Sequence, residues 1–271
     1  MKKILIVNDD GIFAAGIQIL ARKLHIEGYD LLVVAPDRER SASGHSMTMD
    51  RPLHIKRIEN NLLADGFTAY SCDGTPTDCV IMGIDVLGFT PDIVISGINC
   101  GPNLGDDITY SGTACAAMEG LVYGYPAMAL SLVCSSRDAE KYYETAADAA
   151  AAILGWLSSN PMQEGIFYNV NVPNLPLQEI KGVHLTCKGK RRYHDKITAV
   201  KTPFGDTAYW VGGTIEDDLD PGSDVWAVKH ANISITPVHL EMTCFDAFKA
   251  DKATAMEKTV FETLTDCETK S

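Results

Sequence analysis

Nothing in this 271-residue chain spaces cysteines as C-x-x-C or sets Cys and His at metal-ligand intervals. No stretch approaches the roughly twenty apolar residues that cross a bilayer. Basic residues are also scarce: 23 Lys and Arg stand against 36 Asp and Glu, a net charge of −13. That balance argues against nucleic acid or an anionic membrane surface as a partner, since both call for a basic footprint. The single basic cluster, Lys188, Lys190, Arg191 and Arg192, reads as a solvated strand or loop face. Eight scattered cysteines (Cys72, Cys79, Cys100, Cys115, Cys134, Cys187, Cys244, Cys267) support no zinc site and are expected to be reduced thiols of a cytoplasmic protein. The opening apolar run, Ile4-Leu5-Ile6-Val7, meets Asn8-Asp9-Asp10 after four residues, which fits a strand and not an export signal.

No repeat and no flexible linker interrupts the chain. The expectation is a single core over 1–185, followed over 186–271 by a β-hairpin arm, a returning strand and a terminal helix. Through the first half, strand and helix signals alternate, which predicts an α/β fold with a mostly parallel sheet. Residues 3–7 form a buried strand, and 14–26 a helix with Ile17, Leu20, Ala21 and Leu24 at helical spacing. Residues 31–35 form a second strand, and a polar stretch from Pro36 to Asp50 follows. Shorter strands are expected near 52–57 and 67–72. Thr75-Pro76-Thr77-Asp78 carries an N-cap, a proline at the first helical position and an acid at the third, so a helix is expected to run on to Leu87. Further strands are expected at 92–96, 127–133, 166–172, 181–187 and 232–236. Helices are expected from Ser111 to Val122, over 138–158 and over 244–266. Residues 190–215 read as a long hairpin turning at Pro203-Phe204-Gly205-Asp206.

Ligands of open α/β sheets bind beyond the carboxyl ends of the strands. Three polar segments fall there: Asn8–Gly11, the 36–50 loop and 97–113. Adjacent carboxylates ending a buried strand repel and are poorly solvated, and a hard divalent cation with oxygen ligands relieves both costs. An acidic turn in which Asp9 caps the next helix accounts for the dipeptide equally well. Ser111-Gly112-Thr113 opens a helix whose free N–H groups could hold a phosphate, or it is an ordinary Ser N-cap. A protein this acidic needs such a local positive site, a metal or a helix start, to receive an anionic substrate. Asn99 and Asn103 lie among Gly97, Gly101 and Gly105, as turn residues or as ligand contacts. A G-x-G-x-x-G element is missing after the first strand, which disfavours a dinucleotide oxidoreductase, and the length and polar loops fit a receiver domain badly.

Several unlinked motifs then stand in order: Ile4–Gly11 (ILIVNDDG), Val34–Ser43 (VAPDRERSAS), Gly74–Cys79 (GTPTDC), Asp92–Gly105 (DIVISGINCGPNLG), Ser111–Thr113, Asn169–Pro173 (NVNVP) and Ser234–His239 (SITPVH). Together they resemble the SurE family, the survival-protein-E 5′-nucleotidases, across nearly the whole length. The resemblance implies a Rossmann-like three-layer α/β/α sandwich whose hairpin and terminal helix serve oligomerisation, as homodimer or homotetramer. It implies metal-dependent hydrolysis of nucleoside monophosphates, with one divalent ion (Mg²⁺, Mn²⁺ or Ca²⁺) on Asp9, Asp10, Ser41 and Asn99. Phosphate contacts are implied for Asn8, Asn103, Ser111, Gly112 and Thr113. Asp9 would orient or deprotonate the attacking water, and His239 would protonate the departing ribose oxygen. A non-enzymatic nucleotide sensor on the same fold is the alternative from another class.

Overall fold

The computed structural model describes residues 2–59, 66–135 and 137–268. In chain order the elements are β1 (Lys3–Val7), α1 (Ala15–Ile26), β2 (Asp30–Pro36), β3 (Ile55–Arg57), β4 (Thr68–Cys72) and α2 (Pro76–Ile81), which runs into a wider turn over Met82–Val86. There follow β5 (Ile93–Cys100), a 3₁₀ turn over Gly105–Thr109, α3 (Gly112–Val122), β6 (Ala127–Val133), α4 (Tyr143–Leu157) and β7 (Ile166–Pro173). The rest comprises β8 (Gly182–Leu185), β9 (Arg191–Lys201), β10 (Thr207–Asp217), α5 (Asp224–Lys229), β11 (Asn232–His239), α6 (Phe245–Ala253) and α7 (Met256–Glu268). One compact unit runs to His239, and a second, smaller one begins at Leu240.

Among the described residues nine strands form one sheet in the order β3-β4-β2-β1-β5-β6-β7-β11-β8. The six from β4 to β7 are parallel, and their order reverses between β1 and β5. That reversal opens a crevice at the carboxyl ends of β1 and β5, the place where doubly wound sheets bind ligands. β1 shows why the sheet is sandwiched. Ile4 and Ile6 face the side covered by α1 and α4, whereas Leu5 and Val7 face α2 and α3, and all four are fully buried. The apolar stripe Ile17, Leu20, Ala21 and Leu24 is what α1 lays on the first face. β11 runs antiparallel to β7 and carries β8 beyond it.

The Thr75 capping box forms as expected. The Thr75 hydroxyl accepts the Asp78 N–H and the Asp78 carboxylate accepts the Thr75 N–H. Boundaries differ elsewhere for local reasons. β5 continues past Ser96 to Cys100 through a register shift against β6. The alanine-rich helix starts at Tyr143 rather than near 138, because Asp138 closes a turn on the Ser135 N–H and hydroxyl. The 244–266 segment is two helices, parted at Ala255 in the left-handed region (φ 52°). The short helix α5, capped by Ser223, has no counterpart in the sequence reading. The basic cluster is not simply a solvated face. The Arg191 side chain is 8% exposed and pairs with Asp107 (2.5 Å) and Asp217 (2.8 Å), while Lys188 pairs with Asp106. These pairs tie the base of the β9–β10 hairpin to the Gly105–Thr109 turn.

Candidate active site

Asn8 shapes the turn that presents the acids. Its amide accepts the Gly11 N–H (3.1 Å) and donates to the Gly11 carbonyl (2.9 Å). Gly11 sits at φ 99°, where a side chain would be strained and would crowd the Arg38 backbone at 3.1 Å. Asp9 then turns under the start of α3. One carboxylate oxygen accepts the Thr113 hydroxyl (2.5 Å) and the other the Thr113 N–H (3.1 Å). It caps a helix, but not the next one in sequence: α1 has Ala14 at its N-cap and no side-chain cap. Burial pushes the Asp9 carboxyl up from 3.8 to about 6, against the pull of the Thr113 hydroxyl and with help from the Asp10 charge. Burial raises Asp10 as well, the Cys100 N–H (2.9 Å) opposes that, and the Glu39 charge adds to it. Two neighbouring carboxyls held above their usual range mark a place where a cation would be welcome.

The crevice brings Asn99 and Ser41 to the same end. Asn99 ends β5 next to Cys100, and its amide nitrogen is turned to the Gly101 carbonyl (3.0 Å), leaving the amide oxygen for a ligand. The exposed Ser41 donates to Glu39 (2.6 Å), and its loop is pinned where the Arg40 N–H meets the Asp9 carbonyl at 2.7 Å. Among the described residues no three His, Cys, Asp or Glu side chains gather as a metal site. A cation at Asp9 and Asp10 would therefore complete its shell with neutral oxygens. The Ser41 hydroxyl and the Asn99 amide have that chemistry, which suits a hard ion and not zinc or copper.

At the start of α3 the Ser111 hydroxyl accepts the Ala114 N–H (3.0 Å), and the Ser111 N–H is taken by the Asp107 carbonyl. Thr113 gives both its hydroxyl and its N–H to Asp9. Ser111, through its own proton, and the Gly112 N–H are left to face an anion at the positive end of the helix. Gly112 has no room for a side chain: a Cβ would lie 2.8 Å from Ser43 Oγ and 2.9 Å from Asp9 Cβ. Asn103 is 6% exposed and built into a buried amide cluster, donating to Ser131 (2.8 Å) while Asn169 and Asn171 hold its carbonyl.

His239 is not brought to this site. It pairs with Ile166 at the start of β7, whereas the crevice lies at the Pro173 end. Seven residues of strand separate the two ends, about 23 Å. The sequence reading overlooked Glu39 and the loop anchors. His45 meets the buried Glu119 at 2.8 Å, and Thr48 bonds Asp78 through its N–H and hydroxyl. Their polarity was visible, but their partners lie 30 or more residues away.

A doubly wound α/β protein with paired acids and a helix start at its switch point belongs with the phosphate-handling members of that fold class. Residues 4–195 match the family model described as Survival protein SurE. The chain belongs to the SurE family. It is 46% identical over 249 residues to the 5′-nucleotidase SurE of Stenotrophomonas maltophilia (strain K279a), covering 91% of this chain and 93% of that one. It is 45% identical over 251 residues to the 5′/3′-nucleotidase SurE of Proteus mirabilis (strain HI4320), covering 92% and 94%. The solved SurE protein from Aquifex aeolicus superposes with a TM-score of 0.79 at 39% identity, over 93% of this chain and 99% of that one.

Proposed function

We propose that this chain is a metal-dependent phosphomonoesterase that hydrolyses nucleoside 5′-monophosphates to nucleoside and phosphate. The observation carrying this reading is the buried Asp9 carboxylate, bonded to the first turn of α3 beside Asp10. Relatives of 45–46% identity over nine-tenths of the chain are named 5′- or 5′/3′-nucleotidases, which supports the substrate class. Nucleoside 3′-monophosphates and short polyphosphate present the same terminal phosphoryl group. Asp9, Asp10, Ser41 and Asn99 would hold one divalent ion, Mg²⁺, Mn²⁺ or Ca²⁺. When bound, such an ion polarises a phosphoryl oxygen and acidifies water.

The protein groups do the rest. The Gly112 N–H and the Ser111 hydroxyl receive the phosphoryl oxygens, where the α3 dipole favours negative charge. Asp9 aligns the attacking water and takes its proton. His239 of the same chain stands at the far end of the sheet, so the departing ribose oxygen takes its proton from solvent. Residues 1–185 form the catalytic core, and 186–271 are the part that assembles copies into a dimer or tetramer. The two-stranded β9–β10 arm, with Ile197, Trp210 and Val211 at least 64% exposed, supports that role, because a lone hairpin is marginal in water. Seven free cysteines among the described residues suit a reducing, cytoplasmic setting, and no described helix is long and apolar enough to cross a membrane.

Incubating the protein with AMP or GMP and Mn²⁺ or Mg²⁺ should release phosphate, and EDTA should stop the release. Tight nucleotide binding without phosphate release under either metal would overturn the reading in favour of a sensor.

A further inference from the structure

Among the described residues two cysteine pairs meet in the fold. Cys72 and Cys79 touch side chain to side chain, but both are fully buried between β4 and α2. Cys100 and Cys134 are different. Their sulfurs lie 3.3 Å apart at the rim of the crevice, with Cys100 half-buried and Cys134 just beneath it. We propose that Cys100 and Cys134 are an oxidation site for hydroperoxides, and that their disulfide disables the adjacent Asp10–Asn99 metal site. The second half rests on the functional reading above.

The strands aim the two sulfurs at each other. Cys100 ends β5 opposite Leu132, and Cys134 lies two residues past Leu132, just after β6 ends. The Leu132 carbonyl accepts both the Gly101 N–H (3.0 Å) and the Cys134 N–H (2.8 Å), which folds the two chain ends together. A disulfide needs the sulfurs at about 2.05 Å, a further approach of about 1.3 Å. Cys134 is buried beneath the half-buried Cys100, so an oxidant meets Cys100 first. Cys100 sulfur attacks the peroxide, the O–O bond breaks, and a sulfenic acid and an alcohol (or water, from hydrogen peroxide) result. Cys134 sulfur then displaces the sulfenic oxygen as water. In sum, two thiols and one hydroperoxide give one disulfide, one alcohol and one water, and two electrons pass to the peroxide.

The consequence follows from what Cys100 carries. Its N–H holds the Asp10 carboxylate at 2.9 Å, and Asn99 precedes it in the chain. Gly101, on its other side, leaves room for movement, since the nearest atoms to a Cβ there are Asn99 Nδ2 at 3.8 Å and the Cys134 carbonyl at 3.9 Å. Drawing Cys100 toward β6 therefore shifts two of the four candidate ligands at once.

The test uses the full chain with Cys187→Ser and Cys244→Ser, which removes the other exposed thiols among the described residues, and with Cys267→Ser. Equimolar hydrogen peroxide should give a Cys100–Cys134 cross-linked peptide on non-reducing mapping. Mn²⁺ affinity, read by electron paramagnetic resonance, and AMP hydrolysis should both fall at least tenfold and return with dithiothreitol. Cys134→Ser or Cys134→Ala in that background should hydrolyse AMP normally and lose no Mn²⁺ affinity on oxidation. Failure to find the cross-link overturns the proposal, as does a cross-linked protein with unchanged Mn²⁺ affinity. Should the reduced protein bind Mn²⁺ but release no phosphate from AMP, the functional reading fails while the cross-link and Mn²⁺ results still decide this one.

Discussion

At the scale of single residues, Asp9 is held under opposing demands. Its folded carboxyl titrates near 6 against 3.8 unfolded, so its contribution favours folding fully below about 3.8 and is lost as pH rises through about 6. Ionised at pH 7.5 without a cation, it costs the fold about 3 kcal/mol. Asp9→Asn removes the charge; its amide oxygen can still accept the Thr113 N–H, while its amide nitrogen donates to the Thr113 hydroxyl, which turns from donor to acceptor. In EDTA that variant should melt higher than the parent at pH 7.5, with the difference gone by pH 4. With Mn²⁺ and AMP it should release phosphate at least roughly 10²-fold more slowly. Paired melts and a phosphate assay check both, and near-parental turnover would remove Asp9 from the mechanism. Gly112→Ala makes the complementary test. Alanine is the better helix former, so any loss reports the crowding of Ser43 and Asp9. Turnover should fall by roughly 10²-fold as those groups are pushed aside, with kcat affected more than the melting temperature.

At the scale of elements, the Arg191 pairs join the hairpin base to the turn that leads into α3. Arg191→Ala leaves Asp107 and Asp217 without their shared partner in a mostly dry setting, a loss of about 3 kcal/mol. Urea midpoints should fall accordingly, and Arg191→Lys should recover only part, because one ammonium cannot replace the fork. This network also marks the limit of what sequence discloses. The strand–helix alternation was legible because each signal is local: the buried Ile4–Val7 run, the α1 stripe, the Thr75 cap. The helix start at Ser111 and the acids after β1 were legible for the same reason. Illegible were pairings across 65 or more residues, such as Arg191 with Asp107, His45 with Glu119 and Thr113 with Asp9. The position of His239 was not legible either, because a motif gives no direction of travel and β11 runs against the strands that end at the site.

At the scale of the whole molecule, a chain with net charge −13 exposes apolar side chains on its arm, and a groove of about 770 Å³ between α4 and β8 is lined by Trp156, Tyr168, Val183 and Leu185. Assembly through such surfaces predicts a sedimentation mass of two or four chains. Val211→Asp, at a position 77% exposed, should lower that mass without moving the melting transition of the core; an unchanged mass would place the contact elsewhere. The reversed course of β11 has a practical consequence as well. Lys3 at the head of β1 and His239 at the tail of β11 both lie on the underside of the sheet, away from the crevice. An affinity handle or a surface linkage attached beside Lys3 would hold the protein by its floor and leave the mouth of the crevice open to nucleotides in solution.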